Sequence, residues 1–125
     1  MSDKYRLSIQ VDEARKTIIA RAVGPMPSRE LTEAFLAAYR RIDKSWQYNR
    51  VIVYRKFTGS IDFTDAEDFA RQWIEMIGDE PYGAKVAFVS DDALEHARSG
   101  SYDGLTHDRI KTFKTIDEVL DWLAQ

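Results

Sequence analysis

Two imidazoles, His96 and His107, are the only side chains in this sequence whose unperturbed charge changes near neutral pH, so acid–base chemistry would start with them. His96 closes the run Asp91-Asp92-Ala93-Leu94-Glu95-His96. Carboxylates and imidazole are metal-ligand types, but the run lacks paired-histidine spacing and reads as the solvated start of a helix. His107-Asp108 has the residue types of a base and its orienting carboxylate. Neighbours on a loop seldom face each other, and no partnered nucleophile accompanies them. No catalytic set and no metal site emerges from these spacings. The paired glycines of 78–83 and 100–104 lack the spacing and the lysine of a phosphate-cradling loop, so they read as turns and no cofactor is expected.

A second group of candidates follows the apolar run Val51-Ile52-Val53-Tyr54. Thr58, Ser60 and Thr64 are hydroxyls placed where the open end of a parallel sheet receives ligands and where a helix N-terminus favours an anion. Asp62, Asp65, Glu67 and Asp68 surround them and oppose a phosphate, so loop and cap duties are the simpler account. Phe57 and Phe63 flank the same loop. With Trp73 they are the aromatic candidates for an apolar pocket or a partner-facing patch.

These residues need elements to position them. Tyr5 to Val11 alternates apolar and polar, residues 12–16 break the pattern, and Thr17 to Val23 resumes as a β-rich run, which predicts a β-hairpin. Ser28 is a candidate cap for a helix with a stripe of Leu31, Phe35, Ala38 and Ile42, ending near Lys44. Arg50 to Tyr54 is compact enough to be a central strand buried on both faces. Thr64 and Glu67 have capping-box spacing ahead of a stripe of Phe69, Ala70, Trp73 and Ile77, closed by Gly78. Ala84 to Val89 is a further strand, and Asp92 with Glu95 repeats the box before a short helix over Ala93 to Ser99. Ile110 to Phe113 is the last strand, followed by a third box, Thr115 and Glu118, and a helix carrying Val119, Leu120 and Leu123.

The expected architecture is α/β: a mixed, mostly parallel sheet of about five strands opening with a hairpin, and about four helices, in one domain spanning residues 1–125. No repeat or low-complexity linker divides it. A net charge of −3 gives no general attraction to nucleic acid or anionic membrane. The absence of cysteine removes disulfides, thiolate metal sites and cysteine nucleophiles, and suits the cytoplasm. Neither a signal peptide nor an apolar run of about 20 residues is visible, so no transmembrane segment is expected.

This order of elements resembles the SpoIIAA-like families, the bacterial group related to STAS and SEC14 domains. The resemblance rests on the hairpin, the Val51-to-Tyr54 strand with its loop and helix, the Lys85-to-Val89 strand, and the ending from Lys111 to Leu123 with its Trp-Leu pair. It implies a SpoIIAA/STAS-like fold over nearly the whole chain. STAS regulators of the anti-anti-sigma type carry a phosphorylated serine in an Asp-Ser-Ser-Gly-like turn. The corresponding stretch here, Gly59-Ser60-Ile61-Asp62-Phe63-Thr64-Asp65, has no such tetrad, so no position inherits that role. SEC14 relatives imply an alternative, an apolar cavity for a lipid-like ligand. The leading expectation is a non-catalytic module that binds a protein partner or itself, through a surface including Phe57, Thr58, Ser60, Phe63, Thr64 and Trp73. A small-molecule domain for a lipid-like or aromatic compound comes second. An enzyme using His96 or His107 comes third.

Overall fold

The computed structural model describes residues 6–24, 27–55, 62–90 and 104–125. Strands β1 (Arg6–Asp12) and β2 (Thr17–Val23) form the expected antiparallel hairpin, with Arg6 opposite Val23 and Asp12 opposite Thr17. Its turn is closed by the Arg15 N–H on Asp12 Oδ1 at 3.1 Å, and Lys16 takes a left-handed φ of 49°. Strands β3 (Asn49–Arg55), β4 (Lys85–Val89) and β5 (Arg109–Phe113) add in parallel, giving the order β1-β2-β3-β4-β5. β3 is the central strand, because parallel neighbours on both sides and helices on both faces suit its unbroken apolar run.

Helices α1 (Ser28–Arg40) and α2 (Phe63–Ile77) occupy the crossovers into β3 and β4 and share one face of the sheet. There Leu31, Phe35, Tyr39, Ala66, Trp73 and Ile77 meet Ile18, Ala20, Ile52, Tyr54, Val86 and Phe88. Helix α3 (Ile116–Leu123) covers the opposite face, where Val119, Ile116 and Trp122 pack on Val51, Val53, Ala87 and Phe113. Three α-helices are therefore present among the described residues; the one expected over Ala93 to Ser99 lies outside them. None of the three is long and apolar enough to cross a membrane.

Local signals translate into structure unevenly. Thr115 and Glu118 make the full reciprocal capping box, and Gly78 closes α2 with a φ of 70°. The Thr64–Glu67 box is not formed. The helix begins one residue earlier at Phe63, with Asp62 in extended geometry at the cap, so Thr64 is already inside the first turn. Ser28 likewise sits inside α1 behind Pro27, and its Oγ accepts the Asp62 N–H at 2.8 Å, tying the starts of α1 and α2 together. α1 ends at Arg40 rather than near Lys44, which adopts a left-handed φ of 52° and leads into a short 3₁₀ turn at Ser45–Gln47. The buried stripe of α1 consequently runs through Leu31, Phe35 and Tyr39, with Ala38 and Ile42 at its margin.

The short helix α3 is held at both ends. The box fixes its N-terminus, and the buried Lys85 of β4 donates from Nζ to the carbonyls of Trp122 at 2.8 Å and Gln125 at 3.0 Å. A cation at a helix C-terminus meets unpaired carbonyls and the negative end of the dipole together.

Candidate functional site

The second residue of β3 is charged and lies on a buried face of the sheet. Side chains alternate along a strand, so Arg50 shares the α1/α2 face with Ile52 and Tyr54, and it is only 3% exposed. An isolated buried guanidinium is prohibitive, and its partner comes from the residue just before β5. Asp108 Oδ2 lies 2.7 Å from Arg50 Nη2, with both side chains almost wholly buried.

The Asp108 carboxylate is also held by neutral donors. Oδ1 accepts the Ala84 backbone N–H at 2.9 Å, and Oδ2 accepts the Trp73 indole N–H at 3.2 Å and the Thr106 hydroxyl at 3.3 Å. Thr106 Oγ1 in turn accepts the N–H of Asp108 at 3.1 Å. Acceptor sites on a buried carboxylate are thus well used, and the ion pair joins β3, β5, α2 and the segment entering β4.

Arg50 is less completely satisfied. Its Nη2 contact is an ion pair out of line for a straight hydrogen bond, and Nε, fully buried, has no hydrogen-bond partner among the described residues. A buried donor left in this state costs about 1–3 kcal/mol. The guanidinium carbon lies 4.3 Å from the Trp73 ring centre and 5.7 Å from that of Tyr39, so π faces supply part of the compensation.

Beside this pair the α1/α2 layer leaves a half-enclosed cavity of about 90 Å³. Phe35, Tyr39, Phe69 and Trp73 line it from the helices, Ile52, Val86 and Phe88 from the sheet, and Thr32, Arg50, Thr106 and Asp108 are the polar and charged residues around it. The rings brace one another: Phe69 stacks on Trp73 at 6.0 Å, Phe35 on Tyr39 at 6.0 Å, and Tyr39 meets Trp73 edge-on at 5.5 Å. Burial pushes the Tyr39 phenol up to about 12; Arg50 pulls it down and Asp108 pushes it further up, both more weakly. The hydroxyl therefore stays protonated throughout the neutral range.

Among the sequence candidates, Trp73 is completely buried and lines this cavity. Phe63 is 45% exposed at the start of α2, Thr64 is exposed beside it, and neither lines the cavity. Phe57, Thr58, Ser60 and His96 lie outside the described residues. His107 and Asp108 diverge. The imidazole is exposed with its ring 5.1 Å from that of Tyr82, while the carboxylate turns inward to Arg50. Arg50 and Tyr39 did not stand out as site residues from sequence. The available signal was parity, since an arginine in phase with Ile52 and Tyr54 on a doubly buried strand must find an acid inside the fold.

The cavity also lies at an unexpected end. Arg50, Val86 and Ile110 are each the second residue of their strands, and Asp108 immediately precedes β5, so the polar pair marks the N-terminal edge of the parallel sheet. The hydroxyl loop singled out from sequence follows the C-terminal end of β3.

No protein-family model matches this chain, and no curated protein matches it. Among solved structures it is similar to an uncharacterized protein of the DUF3478 family from Shewanella loihica PV-4, described as having a SpoIIAA-like fold. The likeness has a TM-score of 0.59 at 18% identity and covers 98% of both chains. The fold is SpoIIAA-like, as the order of elements implied; at this identity the likeness speaks for the fold alone.

Proposed function

We propose that this chain is a non-catalytic binding domain that takes a small, mainly apolar molecule into the cavity between α1, α2 and the sheet. The observation that carries the reading is the cavity itself: a half-enclosed space walled by braced aromatic rings, with a few polar groups gathered along one side. Its 90 Å³ equals the liquid volume of about three waters, yet apolar walls give water few partners. An apolar cavity of about 150 Å³ binds the six carbons of benzene, so in proportion the enclosed space here takes about three or four non-hydrogen atoms, with the remainder of a ligand of benzene's size at the open side. Of the two imidazoles considered for an enzyme, His107 is exposed beside Tyr82 while the Asp108 carboxylate pairs with Arg50, so these neighbours do not form a base with its orienting carboxylate; His96 lies outside the described residues.

Titration of the ¹⁵N-labelled protein with benzene tests this reading. Shifts are expected at the Trp73 indole N–H and at residues around Phe35 and Phe69. Ala70→Leu, which fills space beside the cavity, should abolish them while the protein stays folded. Absence of localised shifts in the unaltered chain would refute it.

A second reading, pairing with another strand or another copy, draws on β1, a seven-residue strand at the edge of the sheet order. Native mass spectrometry separates the two, since a retained small mass on each chain supports the cavity and a bare dimer supports the edge.

A further inference from the structure

The two edge strands of the sheet, β1 and β5, are built differently. β5 carries Arg109 and Lys111, both exposed, so a second β5 laid against it would bring like charges together. β1 has no such guard. Between Arg6 and Asp12 it reads Leu7-Ser8-Ile9-Gln10-Val11, without charge, proline or glycine, and its register with β2 runs unbroken from end to end, so no bulge bends the edge away.

The hydrogen-bond pattern fixes which backbone groups of β1 point outward. The Asn49 N–H donates to the Lys16 carbonyl at 2.9 Å, which in a parallel ladder with Thr17 opposite Asn49 turns the backbone groups of Ile18, Ala20 and Ala22 toward β3. Those of Thr17, Ile19, Arg21 and Val23 then turn the other way, to Asp12, Gln10, Ser8 and Arg6 of β1. Leu7, Ile9 and Val11 are left with N–H and C=O directed away from β2, and among the described residues no strand pairs with that side.

A second copy of β1 matches this edge best in one register. With the two Ile9 residues opposite each other in an antiparallel pair, Leu7 faces Val11 and about six backbone hydrogen bonds form; slipping by two residues keeps about four, and slipping by one sets outward groups against inward ones. The same register places Arg6 of each copy opposite Asp12 of the other, and Ser8 opposite Gln10, at the positions where side chains come closest. Asp12 already meets Arg15, through Oδ1 and at 3.6 Å through Oδ2, and its carboxylate has lone pairs for a second guanidinium. On the other face the half-buried Leu7, Ile9 and Val11, which pack on the α1/α2 core, would join their counterparts in one apolar strip.

We propose that this chain pairs with a second copy of itself along β1, antiparallel about a twofold axis at Ile9, so that the two sheets continue as one. This rests on the second reading above and commits it to a partner and a register. No residue of β1 lines the cavity, so it is independent of the first.

The chain has no cysteine, so introduced thiols report alone. Ser8 and Gln10 are exposed, and residues paired as they would be hold their Cα atoms about 4.5 Å apart, within disulfide reach. Ser8→Cys and Gln10→Cys, one of them ¹⁵N-labelled, are mixed in equal amounts in glutathione buffer, and the disulfide dimers are weighed by mass spectrometry. The unaltered chain should sediment as a dimer, and the mixed disulfide should form in excess of random pairing while each variant alone stays reduced. Arg6→Asp, which sets carboxylates opposite each other, should weaken the dimer about tenfold or more. A chain that stays monomeric up to ~0.1 mM, cross-linking that is random, homotypic or absent, or an Arg6→Asp dimer as tight as the original would each overturn the proposal. None of these outcomes bears on benzene binding in the cavity.

Discussion

Tyr39→Phe isolates one buried hydroxyl without disturbing the ring stack that contains it. Burial raises the phenol to about 12, whereas in the unfolded chain it titrates near 10. A raised folded-state value means that the native protein holds its proton more tightly. The associated stability is complete below pH 10 and is lost as pH climbs through 12. At about pH 11 the unfolded tyrosine is ionised about tenfold over its neutral form and the native one is hardly ionised, which removes about 1.4 kcal/mol of stability. The full loss approaches about 2.7 kcal/mol at still higher pH. Urea unfolding followed by far-ultraviolet circular dichroism, at a series of pH values between about 8 and 11, gives the comparison. Tyr48, also raised, chiefly by its hydrogen bond to Glu13, remains in both proteins and cancels. The difference in stability between the two proteins should be flat up to about pH 9.5 and then shift by about 1.4 kcal/mol in favour of the Tyr39→Phe variant by about pH 11. A difference that stays constant over the whole range would show that Tyr39 titrates as an exposed phenol, and the closed aromatic wall of the cavity would be wrong.

Two further substitutions probe the frame around the cavity. Asp108→Ala strands the Arg50 charge and should cost about 3–5 kcal/mol in urea unfolding; adding Arg50→Met should recover part of that loss, and strictly additive effects would show that the pair is not coupled. Thr115→Ala removes the side-chain acceptor of the α3 box and should cost about 1 kcal/mol, with an unchanged midpoint speaking against the box as a stabilising element.

The sheet was legible because its signals are local. β1 alternates with period two, β2 is a β-rich run and β3 holds an unbroken apolar run, and these patterns survive whatever else the chain does. Capping was legible only in part. Thr64–Glu67 and Thr115–Glu118 have the same spacing, but the box closes only where the chain enters the helix with the threonine itself at the cap, as at Thr115. The cavity was the least legible. Trp73 stood out by size, but its role depends on Arg50 and Asp108, which meet only when β3 and β5 flank β4. Nothing next to Asp108 points to Arg50, and the adjacent His107 suggested a different chemistry altogether. Long-range pairing of this kind leaves no spacing to read.

The two fastenings of α3 also bear on how the fold opens. Eight residues are too few for a helix to persist by itself in water, where about 12–15 is marginal. Its Val119 is buried on β4 and β5, and its last carbonyls hang on a lysine that belongs to β4. The helix therefore cannot peel away cheaply, because release would break both Lys85 hydrogen bonds and bare Val51, Ala87 and Phe113 to water in one event. Amide protons of α3 should consequently exchange with solvent on the schedule of the central strands, as hydrogen-exchange mass spectrometry would show. α3 would thus open together with the sheet, as part of one cooperative unit, and not fray ahead of it.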